Sequence, residues 1–148
     1  MGVRWLPPIA LLEQLTAAAS LTDEHALIRD WLARHVHDYE LVAIEVRVGD
    51  GQVDDGDTPP AIRSMWTTIT RPRADLVARR GADVEIIEAK VHARVNACGQ
   101  LRKYLGAWRR DFSDVGLVSL RVICRTAEIA VDAALHVAGG VVERVPAP

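Results

Sequence analysis

The chain has 148 residues, about half of them apolar (49%) and a quarter charged (26%), with a net charge of −2. That length suits one domain with a core that needs no staples, and the composition excludes extended disorder, so residues 1–148 are expected to form a single domain. Cys98 and Cys124 have no CxxC pair or His pair beside them, which excludes a disulfide framework or a cysteine-based zinc site and points to free thiols in a reducing compartment. Neither a secretory leader nor an apolar run of membrane-spanning length is legible, so the expected setting is cytoplasmic, with no membrane partner.

In chain order, Pro7 and Pro8 precede a short helical pattern over residues 9–19, with Leu11, Leu12 and Leu15 at helical spacing. Thr22 then reads as the N-cap of a second helix. Asp23 and Glu24 lie in its first turn, and Leu27, Ile28, Trp31 and Leu32 form its apolar stripe. Residues 40–48 alternate as a strand does, which predicts that Val42, Ile44, Val46 and Val48 face the core together. Residues 49–60 collect Gly, Asp and Pro and predict an exposed loop. For residues 62–69 the spacing of Ile62, Met65, Trp66 and Ile69 favours a helix, whereas the β-branched run at Thr67–Thr70 favours an extended chain, so both readings stay open. Two strands over residues 74–79 and 83–91 are joined tightly enough for an antiparallel hairpin. A helix over residues 96–110, a strand over 117–124, a helix over 127–137 ended by Gly139 and Gly140, and a short strand over 141–145 complete the chain.

Charge is distributed unevenly. Residues 1–60 carry four basic and eleven acidic side chains, while residues 61–110 carry eleven basic and four acidic. A basic middle third is the footprint expected where phosphates dock, and Arg63, Arg71, Arg73, Arg94, Arg102 and Lys103 are the candidates for nucleic-acid contact. Trp66, between Arg63 and Arg71, is a candidate for base stacking. No Gly-rich phosphate loop, nucleophile elbow or nicotinamide fingerprint is present, and no motif points to a small-molecule hydrolase.

The chemistry concentrates between Arg73 and Tyr104. Within Val84-Glu85-Ile86-Ile87-Glu88-Ala89-Lys90, alternation puts Glu88 and Lys90 on one side of an otherwise apolar strand, and hairpin pairing brings Asp75 across from them. Phosphodiester hydrolysis needs oxygen ligands for a divalent ion, an activated water and a nearby cation, which these three side chains can supply. On the following helix Gln100 and Tyr104 are one turn apart and project together. Asp75, Glu88-Ala89-Lys90 and Gln100-Leu101-Arg102-Lys103-Tyr104 resemble the PD-(D/E)XK nuclease superfamily, and the Gln-x-x-x-Tyr spacing resembles its RecB-like branch. The likeness covers roughly residues 22–124, although Pro72 does not immediately precede Asp75 as the motif would have it.

The resemblance implies an α/β, restriction-endonuclease-like α-β-β-β-α-β core. A mixed central sheet would be flanked by helices, with an extra N-terminal helix and a C-terminal helix and strand. It implies a metal-dependent deoxyribonuclease using Mg²⁺ or Mn²⁺, with DNA as partner and a homodimer left open. Asp75, Glu88 and the Ala89 carbonyl would ligate metal, Lys90 would position or activate water, and Gln100 and Tyr104 would orient substrate. The family often adds a ligand from the first core helix. Here Glu24 shares its face with Leu27, Ile28 and Trp31 and is preferred over His25, which lies about 100° further round. Glu45 and Asp83 read as solvated strand-edge charges. The alternative class is a nuclease fold that binds nucleic acid without cutting it.

Overall fold

The computed structural model describes residues 2–49, 59–69, 71–112 and 116–148, with backbone alone for residues 66–69. Most of the loop expected over residues 49–60, and the side chain of Trp66, lie outside the described residues. The elements run α1 (Pro8–Ala17), α2 (Asp23–His35), β1 (Leu41–Arg47), α3 (Pro60–Ile69), β2 (Arg73–Arg80), β3 (Asp83–Ala93), α4 (Val95–Asp111), β4 (Val118–Ala127), α5 (Ile129–Val137) and β5 (Val141–Arg144). The segment left open between helix and strand is the helix α3, so its 3.6-residue periodicity outweighs its β-branched run.

One sheet holds all five strands in the order β1-β2-β3-β4-β5. β1, β2 and β3 are antiparallel neighbours, whereas β3, β4 and β5 run parallel. The sheet is thus mixed, as expected, and each parallel step is made possible by a helical crossover, α4 and then α5. Gly81, at φ 58°, supplies the left-handed residue that the two-residue turn between Arg80 and Asp83 requires.

Helices cover both sides of the sheet. α1 and α2 bury Leu11, Leu15, Leu27, Ile28, Trp31 and Leu32 against Leu76, Ala78, Ile87 and Ile123. On the other side α4 and α5 bury Leu101, Tyr104, Trp108, Val131 and Leu135 against Val77, Ile86, Leu120 and Val122. Thr22 caps α2 as read, its hydroxyl accepting from the His25 N–H at 3.1 Å. Both cysteines are buried free thiols.

Strand β1 departs from its expected pattern. Val42 packs on the α2 side, but Val46 and Val48 pack on the α4 side, so the four aliphatics do not share a face. The cause is Glu45, whose φ of 53° places a non-glycine residue in the left-handed region and turns the strand over. Its register across to β2 is kept, with Ile44 opposite Leu76 and Val46 opposite Ala74. Glu45 therefore stands opposite Asp75.

A polar cluster knits the far part of the sheet to α2. Arg121 grips both oxygens of Glu85 at 2.9 and 3.2 Å and reaches Glu143 at 2.7 Å. Tyr39 donates to Glu85 at 2.6 Å, and Trp31 donates to Glu143 at 3.2 Å. His35 meets Glu143 at 2.8 Å and Asp38 at 2.6 Å through its two ring nitrogens. Each buried carboxylate is thereby paired and hydrogen-bonded, the condition under which such groups are tolerated in an interior.

Candidate metal centre

β2 and β3 pair only as far as Leu76 and Ile87. Beyond that point β2 stays with β1, through Arg73 opposite Arg47, while β3 continues along β4 to Ala93. The sheet forks there, and the fork frees backbone groups that the ladder would have consumed. One of them, the Ala89 N–H, donates to Oδ2 of Asp75 at 2.9 Å, so a side chain replaces the missing rung and fixes the carboxylate.

Glu88, the next residue on β3 past the last rung, is 2% exposed. Its Oε1 meets the Lys90 ammonium at 3.2 Å, and its carboxyl lies within hydrogen-bonding reach of Asp75. Its Oε2 is buried without a partner. Burial, reinforced by the neighbouring Asp75 charge and only partly offset by Lys90, pushes the Glu88 carboxyl up to about 7. Burial also raises Asp75, against the opposing pull of the Ala89 N–H and of Lys90. Two carboxyls in contact cannot both ionise in such a place unless positive charge comes between them.

A divalent ion meets that demand, and the donor set fits one: two carboxylates, an orphaned carboxylate oxygen and a backbone freed by the fork. The cage is not complete in side chains alone. Among the described residues no three His, Cys, Asp or Glu side chains are gathered closely enough to hold a metal by themselves.

Asp75 and Lys90 open onto a cleft of about 250 Å³, whose other wall includes Thr22, Glu24 and His25 at the start of α2, with Glu45 and Arg73 beside them. Glu24 is exposed rather than turned into the core, yet it lines this cleft and its charge reaches Asp75. The preference for Glu24 over His25 was too narrow, because both face the cleft and His25 lies 3.5 Å from Glu45. Glu45 was misread as a solvated edge charge, since its reversed backbone brings the carboxylate to His25 and, at 3.7 Å, to Arg73. Period-2 alternation carries no mark of a single left-handed residue, so nothing in the sequence announces this placement.

A left-handed non-glycine costs on the order of 1–3 kcal/mol and persists where the surroundings enforce it. Relief of that strain is measurable. The Glu45→Gly protein is expected to be about 1 kcal/mol more stable than Glu45→Ala in urea unfolding, because only glycine adopts this conformation without penalty. Equal stability of the two would mean the residue is unstrained in solution.

The α4 pair divides. Tyr104 is buried, and burial with the nearby Glu88 and Asp75 charges raises its hydroxyl to about 12, which ties it to the carboxyl pair. Gln100 lies one turn earlier with Oε1 buried and unpartnered, and no hydrogen bond joins it to the carboxyls among the described residues. Of the six basic candidates, Arg73 lines the cleft. Arg71 is engaged structurally, donating to the Gly49 carbonyl at 2.7 Å and lying 3.5 Å from Asp111. Arg63 is exposed on α3, Arg102 and Lys103 are exposed on α4, and Arg94 at the start of α4 lies 3.9 Å from Glu128.

A forked mixed sheet with helices on both sides has a counterpart among solved structures. The fold is shared with a nuclease. The crystal structure of a repair endonuclease from Pyrococcus abyssi matches this chain with a TM-score of 0.53 at 12% sequence identity. The match covers 88% of this chain and 50% of that one, so this chain spans half the length of the endonuclease. No family model matches the chain, and no curated protein matches its sequence. The restriction-endonuclease-like architecture read from the sequence is thus the observed one, at the level of fold. No helix among the described residues is long and apolar enough to cross a membrane.

Proposed function

We propose that the protein is a metal-dependent nuclease that hydrolyses phosphodiester bonds in DNA, with Asp75, Glu88 and Lys90 as its reacting centre. The observation that carries this reading is the buried, mutually repelling carboxyl pair at the fork, with an orphaned oxygen and an ammonium 3.2 Å away. A binding module that cuts nothing has no use for such a costly arrangement, since an unsatisfied buried acceptor alone costs about 1–3 kcal/mol. The endonuclease likeness supports the same reading.

In this mechanism Asp75 and Glu88, with the Ala89 carbonyl, hold Mg²⁺ or Mn²⁺, and Glu24 borders the ion's outer side. The bound ion supplies Lewis acidity toward water and toward the phosphoryl oxygen. Lys90 stabilises negative charge developing at the phosphate and restrains Glu88. Tyr104, held protonated at neutral pH, is a hydrogen-bond donor beside the pair. Arg73 sits in the cleft to receive a phosphate, while Glu45 and His25 set its position. The assignment of Gln100 and Tyr104 to a RecB-like Gln-x-x-x-Tyr motif rests on spacing, with Tyr104 the better supported of the two.

The test is cleavage of labelled single-stranded, duplex and branched DNA with Mg²⁺, Mn²⁺ or EDTA. Metal-dependent cleavage of at least one form is expected. DNA binding that weakens with salt but never leads to cleavage with either metal would favour the non-cutting alternative.

A further inference from the structure

The cleft at the carboxyl pair does not end at Glu45. A second hollow of about 240 Å³ opens on that residue's other side, between residues 2–4 of the leading segment and residues 44–47 of β1. Glu45 borders both. The second hollow gathers Arg4, Arg47 and Arg71, and its one acidic neighbour is Glu45. That carboxylate is engaged toward the first cleft, by Arg73 at 3.7 Å and His25 at 3.5 Å.

The hollow exists because a ladder stops early. β1 lies at the edge of the sheet, and among the described residues the leading segment bridges it only at Leu6 and Val42, through two hydrogen bonds of 2.8 Å. Continued pairing would set Arg4 opposite Ile44 and seal the edge. The chain diverges instead, leaving the outer edge of residues 44–47 beside a gap with arginines on both banks. A walled, cationic groove along a strand edge suits an extended anionic chain that accepts hydrogen bonds. Arg47 is two residues along β1 from Glu45, about 7 Å of strand, so the groove begins roughly one nucleotide from the centre.

We propose that Arg4 and Arg47, with Arg71 braced behind them, form a second phosphate subsite for the single DNA strand whose neighbouring phosphate lies at Asp75 and Glu88. The subsite rests on the nuclease reading for its role, but its binding can be measured separately. It assigns the leading segment, outside the core resemblance, to substrate binding.

The experiment compares the wild type with Arg4→Ala/Arg47→Ala and Arg4→Lys/Arg47→Lys. Binding of a fluorescent oligothymidylate is followed in Ca²⁺ against salt concentration, and turnover in Mn²⁺ is followed on that oligonucleotide and on bis(p-nitrophenyl) phosphate, which is too small to reach the second hollow. The alanine pair is expected to weaken oligonucleotide binding about tenfold to a hundredfold and to flatten the dependence of log K on log salt by about 1.4. KM for the oligonucleotide rises, turnover of the small ester stays unchanged, and the lysine pair restores most of the binding. Unchanged affinity and salt slope in the alanine pair would overturn the subsite even if cleavage proceeds normally. So would equal loss on the small ester, which would make the arginines structural. If the wild type cleaves neither substrate while the alanine pair still loses oligonucleotide binding, the subsite stands and the nuclease reading falls.

Discussion

Replacing Lys90 by Ala is expected to lower metal-dependent cleavage by roughly 10²–10³-fold, the usual cost of losing one group that stabilises developing charge in a water-poor site. The ammonium is about one-third exposed and its one described ion pair is with Glu88, so folding should be little affected. Glu88→Gln should abolish cleavage to at least the same extent, because an amide keeps the shape and loses the charge that would hold the ion. Its stability should change in the opposite direction. At pH 8 the glutamine protein should be the more stable by about 1–3 kcal/mol in the absence of metal, because a buried and incompletely paired charge has been removed. Parallel cleavage assays and urea titrations check both halves. Full activity in either variant would remove these residues from the mechanism.

The second large effect is on the pH dependence of stability. The Glu88 carboxyl titrates near 7 in the folded chain against an ordinary 4.5, so between these values the folded state binds more protons than the unfolded state. The stabilisation linked to that proton is therefore fully present below pH 4.5 and is lost as pH rises through 7, a change on the order of 3 kcal/mol. Asp75 is shifted in the same direction and adds to the trend. Metal-free protein should accordingly lose stability from pH 5 to pH 8, and Glu88→Gln should flatten most of that slope. A divalent ion reverses the balance by taking the proton's place. Mn²⁺ at a hundred times its dissociation constant should restore about 2.7 kcal/mol at pH 8. Thermal melts with and without Mn²⁺ at several pH values decide the matter, and a Tm indifferent to both would rule out the centre.

Much of this was legible in the sequence because it depends on local periodicity and short spacings. Thr22 caps its helix, residues 74–91 form the hairpin, and Glu88 and Lys90 stand out as charges in an apolar strand. What was not legible depends on one backbone angle and on distant partners. The reversal at Glu45 divides Val42 from Val46, and no count of alternating residues can contain it. The same reversal brings Glu45 to His25 and Arg73. Arg71 looked like its basic neighbours, yet the Gly49 carbonyl and Asp111 engage it, a tertiary fact invisible in a charge census.

The cluster around Arg121 bears on how far the chain can be shortened. The likeness in sequence motifs stops near residue 124, which would mark the last strand as an appendage. Glu143 on that strand nevertheless serves Trp31, His35 and Arg121 at once. A chain ending at Gly140 would strand an indole N–H, an imidazole and part of a guanidinium in the half-buried interior, beneath the helix whose first turn borders the carboxyl pair. The minimal working unit therefore extends beyond the motif-bearing segment, and its final strand acts as a keystone for the wall of the cleft.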